Sequence, residues 1–210
     1  MRRMMASNDN EITIIGSGGH ALSVLGCLTE QQSSRLKNVV SQNLTSSDAF
    51  HHLNAFNHDD VFLAEVKPHR FINGIGAHPH TAIRRKIFDT YRAKGFKCET
   101  VISPLSMVHD NVTIGEGAQI FAGAKINIGA VIGDNTIINT GAIIEHGAVI
   151  ESHCHIAPGA IILGDAVVRS GVFIGAGAVI FPAVEIGSES IVGSMVRMSA
   201  NAPDESFVKG

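Results

Sequence analysis

The sequence predicts a small Rossmann-like α/β domain over residues 1–102, followed by an all-β parallel β-helix over residues 103–210. Three observations carry this reading. Short strand patterns alternate with helical patterns in the first half. A period of six governs the second half. Glycine is abundant at 22 residues while tryptophan is absent, which suits a chain of many tight turns.

The first half begins with Glu11-Ile-Thr-Ile-Ile15, a β-rich run that reads as a strand. Gly16-Ser17-Gly18-Gly19-His20 turns the chain into an expected helix, Ala21 to Gln32. Lys37 to Ser41 reads as a second strand and Arg70 to Ile75 as a third. Between them, residues 42–58 are polar and rich in histidine, and read as loop or weak helix. Thr81 to Lys94 is helical, with Ile83, Ile87 and Tyr91 expected on one face. Lys97 to Ile102 is a last strand leading into the repeat. Alternation of this kind argues for a parallel sheet.

From Val108 onward every sixth residue is aliphatic: Val108, Ile114, Ile120 and so on, unbroken through sixteen positions to Met198. Two places before each stands a small or β-branched residue, such as Val112, Ala118, Ala124, Thr136, Cys154 or Ser190. Gly115, Asn127, Gly133, Asn139, Glu145, Gly175 and Gly187 fill corners just after aliphatic positions. An α-helix, at 3.6 residues per turn, would smear this period around its surface. A β-helix uses it directly, with one short strand and one turn per hexapeptide, and three hexapeptides per triangular coil.

Composition excludes several functions. A formal net charge of −3 provides no basic field for nucleic acid or an acidic membrane. No run approaches the ~20 apolar residues of a membrane span. Cys27, Cys98 and Cys154 are odd in number and far apart, so neither a disulfide framework nor a zinc ribbon is indicated. The first ten residues lack the apolar stretch of a signal peptide. These features fit a reduced, cytoplasmic setting.

The Gly16-x-Gly18 turn after a strand suits a phosphate at a helix N-terminus. A nicotinamide site would also want an acidic residue closing the second strand, and none is there. A nucleotide-linked substrate is the favoured ligand; a tight turn without any ligand is the alternative. Within the repeat, His146, His153 and His155 cluster in sequence, and a histidine, with an unperturbed pKa of ~6.5, serves as a base near neutral pH. His146 lies two places past an inward position, so its side chain should project outward. His155 follows nine residues later and should lie on a different face of the prism. The two would then meet only across a subunit boundary. A metal site built from the three histidines is a second possibility.

At this point the chain resembles the hexapeptide-repeat sugar acetyltransferases, the group holding sialic-acid O-acetyltransferases and the bacillosamine-pathway UDP-4-amino-sugar N-acetyltransferases. The matching features are the Ile14-Ile15-Gly16-Ser17-Gly18-Gly19-His20 turn, Ile75-Gly76, the Ile83-Arg84-Arg85-Lys86 helix and the prism. Asn139-Thr-Gly-Ala-Ile-Ile-Glu-His146 is the most specific motif, followed by Ser152-His-Cys-His-Ile-Ala-Pro-Gly159. The resemblance implies a left-handed coil, a homotrimer and acetyl-CoA as co-substrate, with no metal. It implies His146 as general base, with Asn139 placing the substrate and Glu145 beside the base. It also implies His155, Gly164, Ala176 and Ser194 as acetyl-CoA contacts, Gly164 through its backbone. Gly18, Gly19, His20 and Gly76 would contact the UDP part of a UDP-amino sugar. The sequence departs from the bacillosamine enzymes at two places. Gly147 stands where they carry Glu after the histidine, and Val39-Val-Ser-Gln42 stands where an acidic pair holds uracil.

The expected reaction is therefore acetyl transfer from acetyl-CoA to the 4-amino group of a UDP-linked amino-deoxy sugar, by direct attack on the thioester. O-acetylation of a sialic acid or surface polysaccharide is the alternative. A metal-dependent hydratase and a non-catalytic scaffold are the readings from other classes.

Overall fold

A computed structural model describes residues 10–44, 48–79 and 82–209. The chain divides into two compact units, Met1–Ala77 with Thr81–Val101, and His78–His80 with Ile102–Gly210.

The first unit is a five-stranded parallel sheet with helices. In chain order its elements are β1 (Ile12–Ile15), α1 (Gly19–Leu25), α2 (Glu30–Arg35), β2 (Leu36–Val40), a 3-10 turn (Asp48–Phe50), β3 (Asn54–Phe56), α3 (Asp59–Glu65), β4 (Arg70–Asn73), α4 (Ile83–Ala93) and β5 (Lys97–Cys98). The sheet order is β3-β2-β1-β4-β5, so the connection reverses direction between β1 and β4. In open parallel sheets that reversal leaves a crevice at the carboxyl ends of the strands.

Several expectations for this unit need correction. The helix expected over Ala21–Gln32 is two helices. Gly26 closes α1, and Thr29 opens α2 with a capping box: its hydroxyl accepts from the Gln32 N–H at 3.2 Å while its own N–H donates to Gln32 Oε1 at 3.2 Å. The face expected for α4 holds in part: Tyr91 is buried and Ile87 packs against the core, but Ile83 does not. Arg84, Phe88 and Tyr91 are its buried residues, whereas Ile83 is 55% exposed. Tyr91 packs on Phe62, Phe71 and Phe96, so aromatic contact decided the rotation of the helix. The helix starts at Ile83; the expected first residue, Thr81, lies outside the described residues. Residues 42–58 contain a 3-10 turn and the edge strand β3. The last strand breaks in two, Lys97–Cys98 and Val101–Ile102. The buried Glu99 sits at the break, where its carboxylate receives Arg35 at 3.3 Å, Arg70 at 2.9 Å and Gln32 at 3.3 Å.

The second unit is a left-handed parallel β-helix of two-residue strands. It has three faces. Face one runs through Gln119, Ile137, His155, Phe173, Ile191 and Phe207. Face two runs through Met107, Lys125, Ile143, Ile161, Val179 and Arg197. Face three runs through Thr113, Val131, Val149, Val167 and Glu185. In nearly every hexapeptide the second strand residue points inward, and Ile120, Ile132, Ile144, Ile150, Ile162 and Ile174 are at most 1% exposed. Burying each contributes about 1.5–3 kcal/mol relative to exposure. The alanines two places earlier fill the corners of the same core.

The turns impose a demand that periodicity does not display. Three places after the inward residue the backbone takes a positive φ. Glycine fills it at Gly141, Gly147 and Gly159, but Asn135, His153, Asp165, Ala183, Glu189 and Met195 take it at φ between 54° and 63°. The coil also continues past Met198. Ala202 bridges to Ile186, and Phe207–Val208 pairs with Ile191–Val192, so the last coil is two residues short.

Candidate active site

The predicted prism residues fall on two edges. Between faces two and three, successive turns place Asn127, Glu145, His146, Gly164 and Asp165 in register. The Asp165 N–H donates to the His146 carbonyl at 3.0 Å, and the Ala183 N–H to the Gly164 carbonyl at 3.0 Å. Between faces one and two, the turns stack Thr140, Pro158, Ala176 and Ser194. Here Gly177 N–H meets Pro158 O at 3.0 Å and Met195 N–H meets Ala176 O at 2.9 Å.

His146 is exposed, as its position two places past Ile144 requires. Its imidazole reaches to the next coil and rests on Gly164. A Cβ there would lie 2.5 Å from Cε1, 2.7 Å from Nε2 and 3.2 Å from Nδ1 of the ring. Gly164 is therefore glycine because the histidine occupies the side-chain space; its φ is not in the left-handed region. Among the described residues no protein acceptor takes the Gly164 N–H. By contrast, the equivalent N–H of Ile128 goes to Asn127 Oδ1 at 2.8 Å, and that of Thr140 to Asn139 Oδ1 at 2.7 Å.

Glu145 turns away from this ring's contacts to accept from Asn127 Nδ2 at 2.9 Å, one coil below. The two residues help line a cavity of about 540 Å³ on face two, together with Met107, His109, Lys125 and Ile143. The space beside Gly147 is not empty. A Cβ at that position would run into the carboxylate of Asp165.

Asn139, Ala176 and Ser194 lie on the other edge, with His155 on the adjoining face one. His155 is buried to 8% exposure and stacks parallel on Phe173, ring centroids 4.6 Å apart and planes 4° apart. One chain thus holds His146, Glu145 and Gly164 together, and Asn139, His155, Ala176 and Ser194 along another edge, with face two between the groups. His153 occupies the third edge, where its Nδ1 meets Asn135 Nδ2 at 3.0 Å. The three histidines therefore do not converge within one chain, and among the described residues no group of three or more His, Cys, Asp or Glu is arranged to hold a metal. Cys154 points into the core, and burial pushes its thiol up to about 12.

In the first unit, the reversal between β1 and β4 brings Gly18, Gly19, His20 and Gly76 to one crevice. Gly18 is the N-cap of α1, and a side chain on Gly18 or Gly19 would meet only open space. His20 packs on Gly76, where a Cβ would be 3.2 Å from the histidine Cβ. Gly16 holds the turn at φ 94°, and a Cβ would meet Ile75 at 2.7 Å. Two features here were missed in the sequence. Ser17 and Ser41 join the ends of β1 and β2 by a 2.9 Å hydrogen bond. Arg84, quoted only as part of a helix motif, is buried and donates to the carbonyls of Asn73 at 3.0 Å and Ile75 at 2.7 Å, while Asn73 donates back to the Arg84 carbonyl at 2.9 Å. Burial lowers the Arg84 pKa to about 10. The clamp fixes the Gly74-Ile75-Gly76 loop.

Comparison with known proteins follows the same outline. Residues 129–164 match the family described as bacterial transferase hexapeptide (six repeats). No curated protein matches the sequence significantly. Among solved structures, the chain is similar to perosamine N-acetyltransferase from Caulobacter crescentus, a histidine-to-asparagine variant in complex with CoA and GDP-perosamine. Identity is 29%, the TM-score 0.81, and the match covers 94% of this chain and 92% of that one. The acetyltransferase domain of PglB from Neisseria gonorrhoeae, in complex with acetyl coenzyme A, matches at 25% identity and a TM-score of 0.84, covering 97% of each chain. WeeI from Acinetobacter baumannii, at 21% identity and a TM-score of 0.82 over 95% of this chain and 96% of that one, shares the fold. Residues 129–164 thus match a hexapeptide-repeat family, and the whole chain is similar in architecture to a perosamine N-acetyltransferase and to the acetyltransferase domain of PglB.

Proposed function

We propose that this protein transfers an acetyl group from acetyl-CoA to the 4-amino group of a UDP-linked amino-deoxy sugar. The single observation that carries the reading is the His146 imidazole lying on Gly164, a glycine with a spare N–H. A base and an oxyanion donor are thereby adjacent on one prism edge. Likeness to a perosamine N-acetyltransferase with CoA and GDP-perosamine supports a CoA thioester and a nucleotide-linked amino sugar as the two substrates.

In this mechanism the sugar amine attacks the thioester carbonyl. His146 accepts the proton as the tetrahedral intermediate forms, an effect typically worth ~10²–10⁴-fold. The Gly164 N–H donates to the developing oxyanion. The carbonyl then reforms, and CoA leaves as a thiolate that takes the proton held by His146, which regenerates the base. Asn139 and Glu145 position the acceptor, and His155, Ala176 and Ser194 lie along the acetyl-CoA. Because the two groups of residues occupy different edges of one prism, the complete site assembles between copies, and a homotrimer is the assembly we propose. Gly18, Gly19, His20 and Gly76 take the nucleotide, with the diphosphate toward the glycine-rich turn.

The test is thiol release from acetyl-CoA with UDP-, GDP- and dTDP-linked 4-amino sugars and with free sialic acid. Turnover with the UDP-amino sugar is expected. Turnover confined to the GDP or dTDP sugar would overturn the nucleotide assignment, and turnover confined to a hydroxyl acceptor would overturn N-acetylation.

A further inference from the structure

The edge between faces one and two repeats one left-handed turn, and glycine fills it four times running, at Gly123, Gly141, Gly159 and Gly177. The next coil breaks the run with Met195, at φ 62°. That backbone disfavours any side chain, so methionine gains nothing from it. Nor does it gain a place in the core, since Met195 is 77% exposed. Its thioether instead folds back along the edge onto the coil below. A Cβ on Gly177 would stand 2.5 Å from the Met195 sulfur and 3.9 Å from its Cγ and Cε. The Met195 N–H is bonded to the Ala176 carbonyl at 2.9 Å, so backbone and side chain both hold to that coil.

The stretch it covers is the part of this edge with donors to spare. Among the described residues no protein acceptor takes the N–H of Ala176 or of Ser194. One coil lower Pro158 has no N–H to offer, and below that the Thr140 N–H is taken by Asn139 Oδ1 at 2.7 Å. Two spare donors one coil apart, ~4.8 Å, suit a chain with two amide carbonyls lying along the edge. Phe173 and Ile191, paired on face one, flank these corners on one side, and Met195 flanks them on the other. We infer that Met195 is a binding residue for the acyl donor, its thioether packing on the amide-bearing arm of CoA beside the Ala176 and Ser194 N–H groups. The inference rests on the proposed acetyl-CoA site along this edge. An unbranched, polarisable thioether follows an apolar chain closely, which glycine at the same turn could not do.

The test is CoA binding to the intact chain by calorimetry, with Met195→Gly and Met195→Leu beside wild type. Glycine already holds this turn in four lower coils, so Met195→Gly keeps the fold and its Tm should not fall. Its Kd for CoA should rise ~5–10-fold, the loss of one apolar side chain's contact. KM for acetyl-CoA should rise with it, while KM for the sugar does not change. Met195→Leu, of similar volume, should recover most of the affinity. A second readout is chemical. Dilute hydrogen peroxide oxidises exposed methionine to the sulfoxide. Bound CoA should slow that reaction severalfold at Met195 and leave the rate at Met107, 65% exposed on face two, unaltered. Equal CoA affinity in wild type and Met195→Gly would overturn the inference, as would bound CoA that leaves Met195 oxidation unchanged. Either result, with wild-type turnover intact, would leave the acetyltransferase reading standing; wild-type protein that binds no CoA would reject both.

Discussion

Replacing Gly164 by alanine should disable the protein without unfolding it. The new Cβ would stand 2.5 Å from His146 Cε1 and 2.7 Å from Nε2, while ordinary contact begins at 3.4 Å. The ring must therefore retreat by about 1 Å. The backbone at Gly164 lies outside the left-handed region, so alanine itself is tolerated there. The obstructing atoms belong to a side chain at an exposed edge and can move, so stability should change by less than ~1 kcal/mol. Catalysis is less forgiving. A 1 Å misplacement of a reacting group can cost ~10²-fold, which at 1.36 kcal/mol per tenfold is a barrier increase of about 2.7 kcal/mol. The assay is steady-state thiol release paired with a thermal melt. A kcat within threefold of wild type would refute the placement of the base on Gly164; a large loss of Tm would show that the glycine serves the fold instead.

Other perturbations separate fold from site. Gly133→Ala places a Cβ 2.5 Å from the Glu151 carbonyl carbon and 2.5 Å from the Ser152 nitrogen, both backbone, so adjacent coils must part. A loss of at least ~1–3 kcal/mol in urea unfolding is expected, with the denaturation midpoint as readout. Cys154→Ala should retain turnover, and the wild-type thiol should react with alkylating reagents only on unfolding, because burial holds it protonated up to about 12. Stability should fall at alkaline pH. Burial also raises the Cys98 thiol to about 12 and raises the Tyr91 hydroxyl. The native state therefore keeps protons that the unfolded chain releases from about pH 9 upward, at roughly 1.4 kcal/mol per pH unit for each such thiol. A urea midpoint that did not fall between pH 8 and pH 10 would contradict this.

The prism was legible because its period is enforced by geometry. Each inward aliphatic residue sits over the one eighteen residues away, and any slip would turn it to solvent. The left-handed turn positions were not legible, since Asp165, Met195 and Glu189 look like ordinary surface residues until the backbone is seen. The last coil escaped for a related reason: a two-residue deletion hides Ala202 and Phe207 from a strict count of six. In the first unit, local signals were available and overridden. Thr29-x-x-Gln32 is a capping-box pattern inside the helix expected over Ala21–Gln32. Arg84 was quoted only as part of a helix motif, whereas it is buried and bonded to the carbonyls of Asn73 and Ile75. His146 could be placed from its offset to Ile144 alone. The company it keeps, Gly164 and Asp165 from the coil above, needed the stacked register.

The most direct test of the account is the mass of the product formed from acetyl-CoA and a UDP-linked 4-amino sugar by wild-type protein and by His146→Ala. The account predicts an N-acetylated sugar nucleotide with wild type, and a folded variant that forms it at least ~10²-fold more slowly. Equal product from both proteins would contradict the central claim that His146 is the base.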